Sequence, residues 1–224
     1  MNMKKTILLA GTKPKSIGRF IGQALHKQGW DVWLYSRHAD RVEKNNWHER
    51  RCDISNERDV QHLLAEIPRV DVSVFLADAD AHGVLEMLSE NTVNDAIASK
   101  LTGSVILSKQ LLAKKYVGEK IKMIWCAGKV SEKPKDIILY GMINAGLASF
   151  VSELNRHYSE RLEAYYLPIG VVSSTTLGDG YIAANPELTK IAEPPEQIIG
   201  RIDDVIAGKA LVGMVQPDKK VKLV

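Results

Sequence analysis

The sequence predicts an α/β fold in which a doubly wound parallel sheet lies between two layers of helices. Three observations predict it. Short apolar runs of strand length alternate with longer helical patterns along the chain, an order that lays successive strands parallel and sends helices to both faces. The first such pair, an apolar run followed by a glycine turn and an amphipathic stretch, has the form of a strand feeding a helix N-terminus. The 224 residues, 45% hydrophobic and 25% charged, suit one domain, 1–224, with a sizeable core.

In the first unit Ile7 to Ala10 reads as a buried strand that Gly11 ends, and Thr12 to Lys15 is a loop. Apolar residues at Ile17, Ile21, Ala24 and Leu25 then mark one face of a helix, with Ser16 at its N-cap. Gly18 and Gly22, four apart, leave that helix a flat strip for close approach to the sheet. Strand, turn and helix N-terminus together form a phosphate site, because free N–H groups and the positive end of the helix dipole face the anion. The spacing is G-x4-S-I-G and not the dinucleotide fingerprint G-x-G-x-x-G.

The later elements follow in order. Asp31 to Tyr35 is a second strand with Arg37 and His38 at its end; residues 39–50 are polar and assigned to the surface. Arg51 to Ile54 is a short strand ending in Asp53, and Ser55 opens a helix through Leu64. Val70 to Leu76 is a strand, followed by a loop over 77–83. A long helix spans Thr92 to Leu112 with an interruption at Leu101-Thr102-Gly103. Ile121 to Ala127 is a buried strand, 128–137 a loop, Ile138 to His157 a second long helix and Ala164 to Val172 a strand. Residues 173–195 read as an irregular lid, longer than an ordinary connection; a helix over Glu196 to Ala207 and a strand over Ala210 to Val215 complete the chain.

Bulk composition narrows the function. A net charge of +3 argues against a dedicated nucleic-acid binder. Two cysteines, Cys52 and Cys126, with no CxxC, supply neither a disulfide framework nor a structural zinc site, and no metal is assigned. No apolar run reaches bilayer length, and the lysine-bearing N-terminus has no signal-peptide cleavage pattern, so a cytoplasmic protein without membrane partners is expected.

Five segments in order together resemble the short-chain dehydrogenase/reductase family. They are Gly11 with Ser16-Ile17-Gly18, Cys52-Asp53-Ile54-Ser55, Lys100-Leu101-Thr102-Gly103, Tyr140-x3-Asn144-Ala145-Gly146 and Leu167-Pro168-Ile169-Gly170-Val171-Val172. The resemblance implies a Rossmann-like, three-layer αβα domain that binds a nicotinamide dinucleotide. It implies phosphate contacts at Gly11, Ser16, Ile17 and Gly18, to which Lys15 in the turn can add, an adenine contact at Asp53, further cofactor contacts at Ile54 and Ala77, and contacts before the nicotinamide at Gly170 and Val172. Arg37, just past the second strand, can pair with a 2′-phosphate, and Tyr35-Ser36-Arg37 offers no acidic residue for a free ribose, so NADP is preferred over NAD. The two long helices are expected to pair between subunits, through small residues at Ala145 to Ser149, in a homodimer or homotetramer.

The catalytic positions depart from the family. There a Tyr transfers the proton, a Lys four residues on lowers its pKa, a Ser binds the carbonyl oxygen and an Asn anchors water from the preceding long helix. Here Tyr140 is present, but the Lys position is Asn144 and the Asn position is Lys100. Counting back about thirteen residues from Tyr140, the Ser position is Ala127. Lys and Asn have changed places, and a Lys100 reaching from the other helix would restore a cation beside the phenol. Ser131 is a distant substitute for the missing hydroxyl, and Cys126 reads as a small buried apolar residue. Asp78, Asp80 and His82 alternate along the loop after the fourth strand; they read as a polar cap or, alternatively, as acid–base groups. The readings are a divergent NADP-dependent reductase acting on a small carbonyl or enone, a redox-inactive dinucleotide sensor or partner subunit, and a non-redox enzyme on the same scaffold.

Overall fold

The strands are β1 (Thr6–Ala10), β2 (Asp31–Ser36), β3 (Val42–Lys44), β4 (Trp47–Arg51), β5 (Val72–Phe75), β6 (Ile121–Gly128) and β7 (Leu162–Ile169). This is a computed structural model, and it describes residues 4–77, 83–114, 120–128 and 138–209. The strands form one sheet in the order β3-β4-β2-β1-β5-β6-β7, parallel throughout except for β3, which runs antiparallel to β4. Chain order and sheet order reverse at β1, so the C-terminal ends of β1, β2 and β5 meet at the switch point where doubly wound sheets bind ligands.

Helices cover both faces. The helices are α1 (Ile17–Lys27), α2 (Glu57–Glu66), α3 (Glu90–Ile97), α4 (Gly103–Ala113), α5 (Ile138–Tyr158), α6 (Thr176–Ala184) and α7 (Pro195–Ile206). Strand alternation sends Ile7, Leu9, Leu34 and Ile124 to a core with Ile21 and Leu25 of α1 and Ile198 and Ile202 of α7. Leu8, Trp33, Tyr35 and Trp125 face the other core, with Leu64 of α2, Leu107 of α4 and Leu147 of α5. Asn155 fastens α5 to β7, its amide donating to the Ala164 carbonyl at 2.7 Å and accepting from the Ala164 N–H at 2.8 Å. No helix among the described residues is long and apolar enough to cross a membrane.

Three expectations need correction. Residues 39–50 lie mostly at the surface, as expected, and they hold β3 and most of β4, joined by Asn45 and Asn46 with φ of 43° and 65°. The strand expected over Arg51 to Ile54 therefore ends at Arg51, and Asp53 lies in the following loop. Of the charged side chains over 39–50, Glu49 and Arg50 are buried and both are paired. Arg50 lies over the Trp33 ring, its carbon centre 4.9 Å from the centroid, and pairs with Glu43 and Glu66. Residues 173–195 are not irregular, since α6 and a 3₁₀ turn over Pro186–Lys190 lie within them. The long helix begins at Glu90, and its interruption is a π turn over Ala98–Thr102 joining α3 to α4. The strand expected over Ala210 to Val215 lies outside the described residues.

Candidate functional site

The β1–α1 turn is built from backbone. Gly11 has φ +103°, a left-handed conformation that favours glycine. A Cβ on Gly18 would stand 1.8 Å from the Ala10 carbonyl oxygen, so only glycine lets α1 start this close to β1. Ser16 caps the helix as expected, its hydroxyl accepting from the Arg19 N–H at 3.2 Å and lying 2.9 Å from the Lys13 carbonyl oxygen, to which it donates. The N–H groups of Ile17 and Gly18, in the first turn, have no intrahelical acceptor. Arg19 braces the turn from outside: its Nε donates to the Thr12 carbonyl at 2.7 Å while its guanidinium pairs with the buried Glu49 at 2.8 Å. Thr12 and Ser36 hydroxyls meet at 2.8 Å, tying the turn to the end of β2. From the opposite side the Thr176 N–H donates to the Lys15 carbonyl at 3.1 Å, which seats the start of α6 on the turn.

Beside the turn the chain leaves the ends of β2 and β4. The Cys52 N–H donates to the Ser36 carbonyl at 3.0 Å, so the loop carrying Asp53 and Ile54 lies against Arg37. Asp53 turns its carboxylate onto Ser55, accepting from its N–H at 2.9 Å and its hydroxyl at 2.7 Å. Ile54 packs on Gly103, where an added Cβ would come within 2.5 Å of its Cγ1. Arg37 is paired with Asp95 of α3 at 2.9 Å. Ala77, half-buried, ends the described stretch after β5.

The third part of the site lies between the π turn and α5. Lys100 is only 7% exposed, and its Nζ stands 5.1 Å from the centroid of the Tyr140 ring. The π turn buries Ser99 and Lys100 together, where a continuous α-helix would carry successive residues to different faces. Asn144 sits one turn beyond Tyr140, 1% exposed. Its amide donates to the Gly128 carbonyl at 3.1 Å, and its Oδ1 has no partner among the described residues. Ala127 faces the same core as Tyr140, whereas Cys126 faces the α1–α7 core. Burial pushes the Cys126 thiol up to about 12. Phe75 and Trp125, stacked at 4.2 Å, line a cavity of about 10 Å³ with Lys100 and Ala77, room for a single water.

At the end of β7, the Gly170 N–H points to the Glu193 carboxylate at 3.4 Å, and Glu193 is clamped by Arg201 at 2.5 Å. Val172 bridges Glu193 through backbone. A Cβ on Gly178 would stand 1.8 Å from the Val172 carbonyl, so α6 also makes a glycine-dependent approach. Asp78, Asp80, His82 and Ser131 lie outside the described residues.

The sequence-picked residues thus fall into groups at one end of the sheet: Gly11, Lys15, Ser16, Ile17 and Gly18 in the turn, Arg37, Asp53 and Ile54 past the ends of β2 and β4, and Lys100 with Tyr140 and Asn144 between the helices, with Ala77 beside Lys100. Sequence reading missed Arg19, Asp95, Trp125 and Glu193. Arg19 with Glu49, Arg37 with Asp95 and Glu193 with Arg201 are partners separated by β4, α3 and a Pro-Pro step, and no spacing rule pairs them.

No family model and no curated protein sequence matches the chain. Solved structures do. An aldohexose dehydrogenase of Thermoplasma acidophilum, in ligand-free form, is 16% identical, with 90% of this chain and 86% of that one covered at a TM-score of 0.79. A short-chain dehydrogenase of Leptospira borgpetersenii with bound NAD+ is 17% identical over 90% and 85%, at 0.75. A substituted form of ElxO with NADPH bound is 17% identical over 89% and 90%, also at 0.75.

The residues present fit the dinucleotide that this fold implies. A side chain at Gly11 would stand 3.0 Å from the Ser16 hydroxyl, and one at Gly18 would clash with Ala10; without them the N–H groups of α1 face the turn. The chain has the three-layer Rossmann-type fold of these short-chain dehydrogenase/reductase structures.

Proposed function

We propose that the protein is a cytoplasmic reductase that prefers NADP over NAD and acts on a small carbonyl or enone compound. The observation that carries the reading is the pairing of Lys100 with Tyr140, 5.1 Å from ammonium to ring centroid, at the same end of the sheet as the Gly11 turn. The α1 N–H groups and Lys15 hold the diphosphate, and Arg37 takes the 2′-phosphate. The dinucleotide, when bound, supplies the hydride to the substrate carbon. Tyr140 gives its phenolic proton to the substrate oxygen, and the Lys100 cation stabilises the phenolate left behind. Asn144 holds α5 against the end of β6 through Gly128 and so fixes the height of Tyr140.

Exposed apolar side chains at Leu85, Met87 and Leu177, on segments that follow β5 and β7, support an apolar substrate body. Val105 of α4 and Ile138 and Met142 of α5, also exposed, support a homodimer or homotetramer packed through these helices. A second reading, dinucleotide binding without turnover, is favoured by Ala127, which puts a methyl where a hydroxyl would hold the carbonyl oxygen.

The test is NADPH oxidation against a panel of small aldehydes, ketones and enones, with Lys100→Ala beside the wild type. The reductase reading expects turnover that drops about tenfold or more in the variant, with its pH profile moved to higher pH. Unchanged rate and profile would remove Lys100 from the mechanism. NADPH binding with no turnover on any substrate leaves the second reading standing.

A further inference from the structure

Just past the end of β2, Arg37 forms an ion pair with Asp95 of α3, and the proposed chemistry gives a role to Arg37 but none to Asp95. Arg37 Nη1 lies 2.9 Å from Asp95 Oδ1, across 58 residues of chain. The two side chains are 44% and 49% exposed. A pair this wet is held weakly and opens at little cost. Its position is the informative part. The loop at Asp53 is bonded to Ser36, the residue before Arg37, and Ile54 of that loop is covered by Gly103, at the start of α4 on the same helical rod as Asp95. The Asp53–Ile54 loop is thus anchored beside Arg37, and Asp95 is the carboxylate that α3 brings to that guanidinium.

We propose that Asp95, through its pair with Arg37, is a specificity-determining residue that sets the balance between NADP and NAD. The inference rests on the dinucleotide reading given above. A 2′-phosphate carries about −1.5 to −2 charges and seeks the Arg37 guanidinium. With Asp95 in place it meets a cation whose Nη1 is already engaged and a carboxylate of its own sign close by. A free 2′-hydroxyl meets the reverse: it can donate to the Asp95 carboxylate and needs nothing from Arg37. Arg37 thus favours the phosphorylated cofactor and Asp95 tempers that preference, so the chain accepts both cofactors with a smaller ratio than Arg37 alone would produce. No acidic residue at the end of β2 is needed for this, because the carboxylate comes from the helix opposite.

The experiment is calorimetric or fluorescence titration of the full chain with NADPH and with NADH, for the wild type, Asp95→Asn and Arg37→Ala. Asparagine keeps the size of the side chain and removes its charge. Asp95→Asn is expected to tighten NADPH about fivefold and to leave NADH unchanged or weaker, raising the NADPH-to-NADH ratio; the gain shrinks as salt is added. Arg37→Ala is expected to weaken NADPH about tenfold and leave NADH within about twofold. Equal tightening of both cofactors in Asp95→Asn, or a ratio unmoved from wild type, overturns the role of Asp95 while leaving dinucleotide binding intact. Absence of binding by wild type and both variants overturns the dinucleotide reading itself, and this inference with it.

Discussion

The β1–α1 turn and the Tyr140 site lie at the same end of one sheet, yet they have diverged differently. The turn has an unusual spacing, and its geometry depends on two glycines and a capping serine, so most of what it offers an anion is main chain. The Tyr140 site offers side chains, and there Ala127, Lys100 and Asn144 are all changed from the resembled pattern. Backbone sites tolerate sequence drift as long as the φ angles and close approaches survive. Side-chain sites do not, because each substitution moves or removes a functional group.

That contrast can be broken or sharpened by substitution. The largest effect is expected from Tyr140→Phe, which removes the hydroxyl proposed as proton donor and leaves the turn alone. Carbonyl reduction should fall about 10²- to 10⁴-fold while the NADPH dissociation constant stays within about twofold. Steady-state rates and titration check this, and a loss under tenfold would mean that Tyr140 is not the donor. Gly18→Ala attacks the other region. With 1.8 Å between the new Cβ and the Ala10 oxygen, urea unfolding should show a loss of about 3 kcal/mol. Gly146→Ala, whose Cβ would meet only Leu101 at 3.4 Å, should cost far less and serves as the control. Retained stability in Gly18→Ala would show that α1 can move away from β1.

A gain is expected from Ala127→Ser, which faces the Tyr140 core and restores a donor for the carbonyl oxygen. If Lys100 and Tyr140 are already arranged for proton transfer, turnover should rise about a hundredfold. No rise would place the obstacle elsewhere in the site. The smallest effect concerns the thiols. Burial pushes both Cys52 and Cys126 up to about 12, so at pH 8 neither is a thiolate to any useful extent. Ellman's reagent should find no rapid reaction in the folded protein and two thiols after unfolding in guanidinium. Rapid native reaction would show one of these cores opening to solvent.

The parallel sheet and its two helical layers were legible in the sequence because apolar runs, glycine stops and the Ser16 cap are local signals. The β3–β4 hairpin was not, since Arg50 and His48 look like surface residues until Trp33 is folded against both and Glu66 against Arg50. The helix break at Leu101-Thr102-Gly103 was visible, but not that it is a π turn over Ala98–Thr102 with Gly103 against Ile54, a contact between distant segments. Among candidate site residues, the exchange of Lys100 and Asn144 could be read from two motifs side by side. The Arg37–Asp95 and Glu193–Arg201 pairs had no such trace, because partners in an ion pair leave no shared periodicity.

The short β3 strand has a consequence for the behaviour of the protein at high concentration. A parallel sheet that ended at β4 would present an open row of N–H and C=O groups, a template for a strand from another molecule. Here that border is covered by three residues, two of them the exposed and charged Glu43 and Lys44, and terminated by the tight Asn45-Asn46 reversal. A strand this short and this charged is a poor seed for fibrils, so along this border copies of the chain are kept from joining sheet to sheet.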